Sequence, residues 1–160
     1  MARRNDERLR HMYSDGRGNA TAKRYARFWA TVFRLGLPPR RWVTLEVPGR
    51  KTGTAMRVPL GMADWQDNWY LVSMLGDCNW VRNVRAAQGH ATLHHRHSTP
   101  VRLAEVPVEQ RAAILKRYLQ TVPGGRPHIP VDRREPVESF EAIAALYPVF
   151  LVKASPDDTS

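Results

Sequence analysis

The chain has 160 residues and 18.3 kDa, 42% of them hydrophobic and 25% charged, which is enough for one domain with a core and too apolar for a disordered chain. Its longest uncharged apolar stretch, Ala142 to Val152, is interrupted by Pro148 and is about half the length of a membrane-spanning helix. The single cysteine, Cys78, excludes an internal disulfide framework and a four-cysteine zinc site. The formal net charge is +10 and uneven: residues 1–50 hold twelve Lys/Arg against four Asp/Glu, residues 51–160 thirteen against eleven.

A basic front half on a near-neutral body points to an anionic partner, or to a merely solubilising surface. The opening MARRNDERLR has no apolar segment behind its arginines, so a secretory leader is not expected and the compartment reads as cytoplasmic. Residues 1–20 read as a flexible basic arm. From Thr21, residues Tyr25, Phe28, Trp29, Val32 and Phe33 recur at helical spacing until Gly36 and Pro38-Pro39 end the pattern. Such a basic amphipathic helix either packs on its own domain or lies on an anionic bilayer.

Strands follow. Trp42–Val47 alternates, with Val43, Leu45 and Val47 on one face; Val58, Leu60 and Met62 alternate in the next strand. Asp64–Asn68 is expected to turn into an apolar strand over 69–74. A helix is expected over 79–88, then a hairpin of 91–95 and 101–106 through a loop at 96–100. Helices over 110–119 and 137–146 precede a closing strand at 149–152. The strand-to-strand intervals are too short for parallel crossovers throughout. The expected fold is therefore α+β, a barrel-like sheet of about six mainly antiparallel strands with peripheral helices. One domain is expected over 21–154, with a disordered tail at 155–160.

Several chemistries are absent from the sequence. There is no GxGxxG, and the Gly49-Arg50-Lys51-Thr52-Gly53 segment lacks the order of a phosphate-binding P-loop. His94, His95 and His97 are neighbours, but a metal site needs a third converging ligand, and no metal is expected. Cys78 has no visible activating base and reads as a structural thiol. The GRKTG segment itself remains. Glycines permit close backbone approach, Arg50 and Lys51 supply charge, and Thr52 supplies a hydroxyl, so it is either an anion site or a basic hairpin turn.

The GRKTG loop, the Arg57-Val58-Pro59-Leu60 strand, the Tyr70-Leu71-Val72-Ser73 strand and the Asn79-Trp80-x-x-Asn83-Val84-Arg85-Ala86 helix occur in that order. In this the chain resembles the deazaflavin-dependent nitroreductases, the F420H2-dependent quinone and nitro reductases of actinobacteria. The resemblance implies a split β-barrel like that of FMN-binding oxidases. It also implies coenzyme F420 in a groove, with FMN as the alternative cofactor, and hydride transfer to a quinone, nitroaromatic or activated alkene. A related barrel that binds F420, a flavin or a lipid without turnover is the other reading. By resemblance, Arg50, Lys51 and Thr52 line the phosphate and acidic tail. Val58 and Pro59 run along the deazaflavin, Arg57 beside them counts among the cofactor-binding residues, and Ser73 approaches the ring or the substrate. Trp80 and Asn83 face the groove from their helix, with Trp80 equally readable as a core anchor.

Two positions depart from the family pattern. Met56 stands where an arginine is common, with Arg57 one residue later on the opposite strand face. The Ser73–Trp80 loop is short and lacks the usual proline. Tyr118 and Tyr147 are candidates for protonation or substrate lining, or equally for packing, and no catalytic residue is named. The expected partner is a small molecule. Peripheral membrane contact would run through the N-terminal helix. The aromatics near the basic segment share one helix face that reads as buried, which argues against nucleic acid. A monomer and a weak homodimer are both open.

Overall fold

The computed structural model describes residues 42–155. The expected arm over 1–20, the amphipathic helix after it and the tail beyond Ser155 lie outside the described residues. Six strands, β1 (Trp42–Pro48), β2 (Ala55–Trp65), β3 (Asn68–Val72), β4 (His90–His95), β5 (His97–Glu105) and β6 (Val149–Ala154), form a closed barrel. Its order is β1-β2-β3-β6-β5-β4, and every neighbouring pair is antiparallel. The architecture is the antiparallel barrel with peripheral helices that the strand spacing predicts.

Side-chain alternation builds two cores. Val43, Leu45 and Val47 of β1 point into the barrel with Met62, Leu71, Leu93, Val101, Leu103 and Phe150. On the outer side, Ala63, Val72 and Val149 meet Leu115, Tyr118 and Leu119 of α2 (Ala112–Thr121) and Phe140 of α3 (Val137–Glu141). β3 and the start of β6 are therefore covered on both faces, which is why they read as continuous apolar runs. Arg117 ties α2 to the sheet by donating to the carboxylate of Asp64 at 3.0 Å.

The remaining helix, α1 (Asn79–Ala86), has eight residues, too few to be stable alone. Val81 and Val84, both buried, attach it to the barrel interior together with Cys78. Its exit is tight: Gln88 and Gly89 have φ of 55° and 85°, and the Gly89 N–H donates to the Val84 carbonyl. A side chain at Gly89 would collide with the Leu103 backbone. Among the described residues no helix is long and apolar enough to cross a membrane.

Three local expectations are corrected. The loop expected at 96–100 is strand: His95 pairs with His97, Thr92 with Pro100, and Arg96 alone makes the turn at φ 62°. β6 reaches only as far as Val101, opposite Ala154, so the start of β5 is an edge where a proline is tolerated. The turn at 64–68 narrows to Gln66-Asp67, both at positive φ, as a two-residue hairpin requires. The helix expected over 137–146 breaks into α3 and a 3₁₀ turn at Ala144–Leu146. Pro148 has no N–H for the Ala144 carbonyl, which accepts instead from Tyr147 N–H at 3.4 Å and from buried Arg111 Nη1 at 3.2 Å.

Candidate cofactor site

Between β1 and β2 the GRKTG loop is closed by its own backbone. Gly49 N–H donates to the Thr54 carbonyl at 2.9 Å, and Gly53 N–H to the Gly49 carbonyl at 2.8 Å. Gly53 has φ +74°, a conformation that favours glycine. The Thr52 hydroxyl oxygen accepts the Thr54 N–H at 3.2 Å, leaving its O–H available to donate outward.

The loop is held against α1. Asn83 is 5% exposed, and its Oδ1 accepts both the Arg50 backbone N–H at 3.1 Å and Arg50 Nη1 at 2.8 Å. Arg50 Nη2 reaches Asn79 Oδ1, one helical turn earlier, at 3.5 Å. The sequence therefore brings Arg50 and Asn83 together, but as partners of each other. Asn79, which stands in the quoted helix motif but was given no role there, joins this contact. Its signal was the i, i+4 spacing to Asn83, which places both carboxamides on one helix face. Lys51 and Thr52 are exposed, and among the described residues Lys51 has neither a hydrogen bond nor an ion pair.

The other expected residues separate. Arg57 is committed to Glu46, its cross-strand neighbour, through Nε to Oε1 at 2.8 Å on the outer face of the barrel. Val58 turns into the barrel core and Pro59, next to it, to the other face. Ser73 is buried, and its hydroxyl donates to the Gly76 carbonyl and lies 3.4 Å from the Cys78 sulfur, so it is occupied within the turn leading to α1. Trp80 packs against Phe150 with ring centroids 5.8 Å apart, which favours its role as a core anchor. Met56 is 52% exposed beside Gly49.

The histidines have separate partners. His94 Nδ1 lies 2.8 Å from Ser98 Oγ, and His95 Nδ1 lies 2.9 Å from the Trp42 carbonyl. The two tyrosines sit on the α2 side of the barrel. Tyr118 is buried, and burial pushes its phenol well above the ordinary value; Tyr147 is also raised by burial and donates to the His128 carbonyl at 3.1 Å.

A closed antiparallel barrel of six strands with peripheral helices defines a class of small barrel proteins. Within that class, residues 19–137 match the model of the F420H(2)-dependent quinone reductase family. The chain belongs to that family, and it is an F420H2-dependent oxidoreductase with coenzyme F420 as its cofactor. No curated protein matches it significantly. Among solved structures, one described as an F420-H2 dependent reductase (FDR-A) is 21% identical, covering 71% of this chain and 95% of its own, with a TM-score of 0.48. A protein of unknown function from Agrobacterium tumefaciens is 9% identical over 78% of this chain and 53% of its own, with a TM-score of 0.54. A third, described as a domain-swapped dimer, is 18% identical over 83% and 93%, with a TM-score of 0.50.

Proposed function

We propose that the chain holds F420 at the barrel end framed by the GRKTG loop and α1, and reduces a quinone there. The observation that carries this is the exposed, unpaired ammonium of Lys51 in a loop that α1 keeps in place. A phosphodiester and a carboxylate-bearing tail are the anions such a cation suits, and the Thr52 hydroxyl adds a neutral donor beside it. Reduced F420, when bound, supplies a hydride from its deazaflavin ring. The work left to the protein is to orient the ring, exclude water and receive the acceptor.

The surroundings suit an apolar acceptor. Met56 is exposed beside the loop, and Leu146, 61% exposed, adjoins the 73–78 turn, where Ser73 N–H donates to the Pro148 carbonyl. Met74 and Leu75 on the same turn are half-buried. Nitroaromatics and activated alkenes share that apolar, electrophilic character and belong to the same screen. No side chain is proposed as proton donor: Tyr118 is sealed in the core and Tyr147 is engaged with His128. A solvent proton completes the reduction. Membrane contact through the N-terminal segment suits lipid-soluble acceptors, and loss of vesicle partition on deleting residues 1–36 is its test. The oligomeric state, monomer or weak homodimer, is a question for sedimentation.

The test of the main reading is a titration with F420 followed by tryptophan and cofactor fluorescence, beside FMN and NADPH. Saturable binding of F420 alone, followed by F420H2 oxidation in the presence of a quinone, is the expected result. Binding without turnover of any acceptor reduces the chain to a cofactor-binding barrel.

A further inference from the structure

We propose that Asn83 is a positioning residue: it acts on the anion-binding loop through Arg50 and not by touching the cofactor. The inference rests on the F420 reading above and assigns the work within that site. A carboxamide oxygen has two lone pairs, and both are taken by Arg50, one by its backbone N–H at 3.1 Å and one by Nη1 at 2.8 Å. Both neighbours are obligatory donors, so the atom between them is the oxygen and not the amide nitrogen. Asn83 is 5% exposed, so these bonds form where water competes poorly.

The consequence falls on the loop's two cations. The Arg50 guanidinium is turned onto the helix, with Nη2 reaching Asn79 at 3.5 Å, and works as a strut. Lys51, the next residue, is left exposed and unpaired among the described residues and carries the charge that meets an anion. The loop's own backbone bonds close it at Gly49, Gly53 and Thr54 but leave residues 50–52 several conformations. Fixing Arg50 at both backbone and side chain removes most of them before any ligand arrives, which is preorganisation of Lys51.

A double-mutant cycle on F420 binding separates the two roles. Asn83→Ala, which removes both bonds, is expected to raise Kd about tenfold, Arg50→Ala, which leaves the backbone N–H on Asn83, about threefold, and the double variant no more than Asn83→Ala alone. Costs that multiply towards about thirtyfold show that Asn83 and Arg50 act independently, and overturn the proposal. So does an unchanged Kd in either single variant. Amide hydrogen exchange without F420 gives a second readout. Asn83→Ala speeds exchange at the Arg50 amide and leaves core amides such as Leu45 protected, whereas Asn83→Asp, which keeps an acceptor in place, retains slow exchange at Arg50. Uniformly faster exchange throughout the barrel marks a merely structural residue and also overturns the assignment. Should Asn83→Ala not fold, Arg50→Ala, at an exposed position, decides by its salt dependence: a raised Kd with the native slope against salt supports the strut, and a slope reduced as far as that of Lys51→Ala, or an unchanged Kd, overturns it. Absence of F420 binding by the unaltered protein overturns the cofactor reading and this role with it. Binding with multiplicative costs overturns only the role.

Discussion

Glu105 and Arg85 meet in a two-pronged ion pair, Nε to Oε1 at 2.9 Å and Nη2 to Oε2 at 2.8 Å. The second carboxylate oxygen also accepts from Arg111 Nη2 at 3.1 Å, and Arg111 is buried, with its Nε on the Val106 carbonyl at 2.8 Å. Arg85 further reaches Asp77 at 2.6 Å. One carboxylate on β5 thereby links α1, the start of α2 and the turn before β6.

This linkage has a pH signature. The Arg85 hydrogen bonds, with help from Arg111, hold the Glu105 carboxyl below its ordinary value of 4.5. A carboxyl lowered by folding contributes stability that is full above the unfolded value and is lost as pH falls through the folded one. Urea unfolding of the native protein should therefore lose stability as pH falls from about 5 towards the folded pKa. Glu105→Gln should flatten that acid limb and lower stability at neutral pH by about 1–2 kcal/mol, since Arg111 stays buried beside a weaker acceptor. An acid limb unchanged by the substitution assigns the dependence to other carboxylates.

Lys51→Ala should weaken F420 binding about tenfold, the size of one charge-assisted contact. Added salt should weaken the native protein more than the variant, because screening acts on the charge the variant lacks. Fluorescence titrations at low and high salt measure both effects. Equal Kd values for the two proteins remove Lys51 from the site.

Gly89→Ala should destabilise the fold by about 2–4 kcal/mol. A Cβ there would lie within van der Waals overlap of the Leu103 carbonyl, and φ is +85°. Chemical denaturation reads the loss, and a change below about 0.5 kcal/mol would show that the α1 exit relaxes freely.

Trp80→Phe retains an aromatic ring against Phe150 and should leave stability within about 1.5 kcal/mol. If the cofactor lies at the α1 end of the barrel, the same variant should lose most of the tryptophan quenching that F420 produces. Full quenching in the variant places the responsible indole elsewhere.

The barrel was legible because alternation is a local signal. Val43, Leu45 and Val47 declare an inward face, and the apolar runs of β3 and β6 declare two covered ones. The hairpin of β4 and β5 was legible too, but the tightness of its turn at Arg96 was not, since Ser98, Thr99 and Pro100 carry turn chemistry and are strand only because β4 pairs with them. The motif reading found the loop and the helix of the site but not the bond between them. Asn83 and Arg50 are 33 positions apart, and only the closed barrel sets them in contact. Buried Arg111 escaped for a related reason: its acceptors are largely backbone carbonyls, which no residue letter encodes.

The place of β6 has a consequence for synthesis. This strand lies between β3 and β5 and pairs with both, so a chain emerging from the ribosome cannot complete the ring until residue 154 is out. Until then β1 to β5 can form only an open ribbon with β3 and β5 as bare rims, and Phe150 is missing from its centre. Those rims accept any strand of matching register, including the β6 of another copy. Exchange between nascent chains is the hazard built into this order of strands, and the interval between residues 105 and 149 sets how long it lasts.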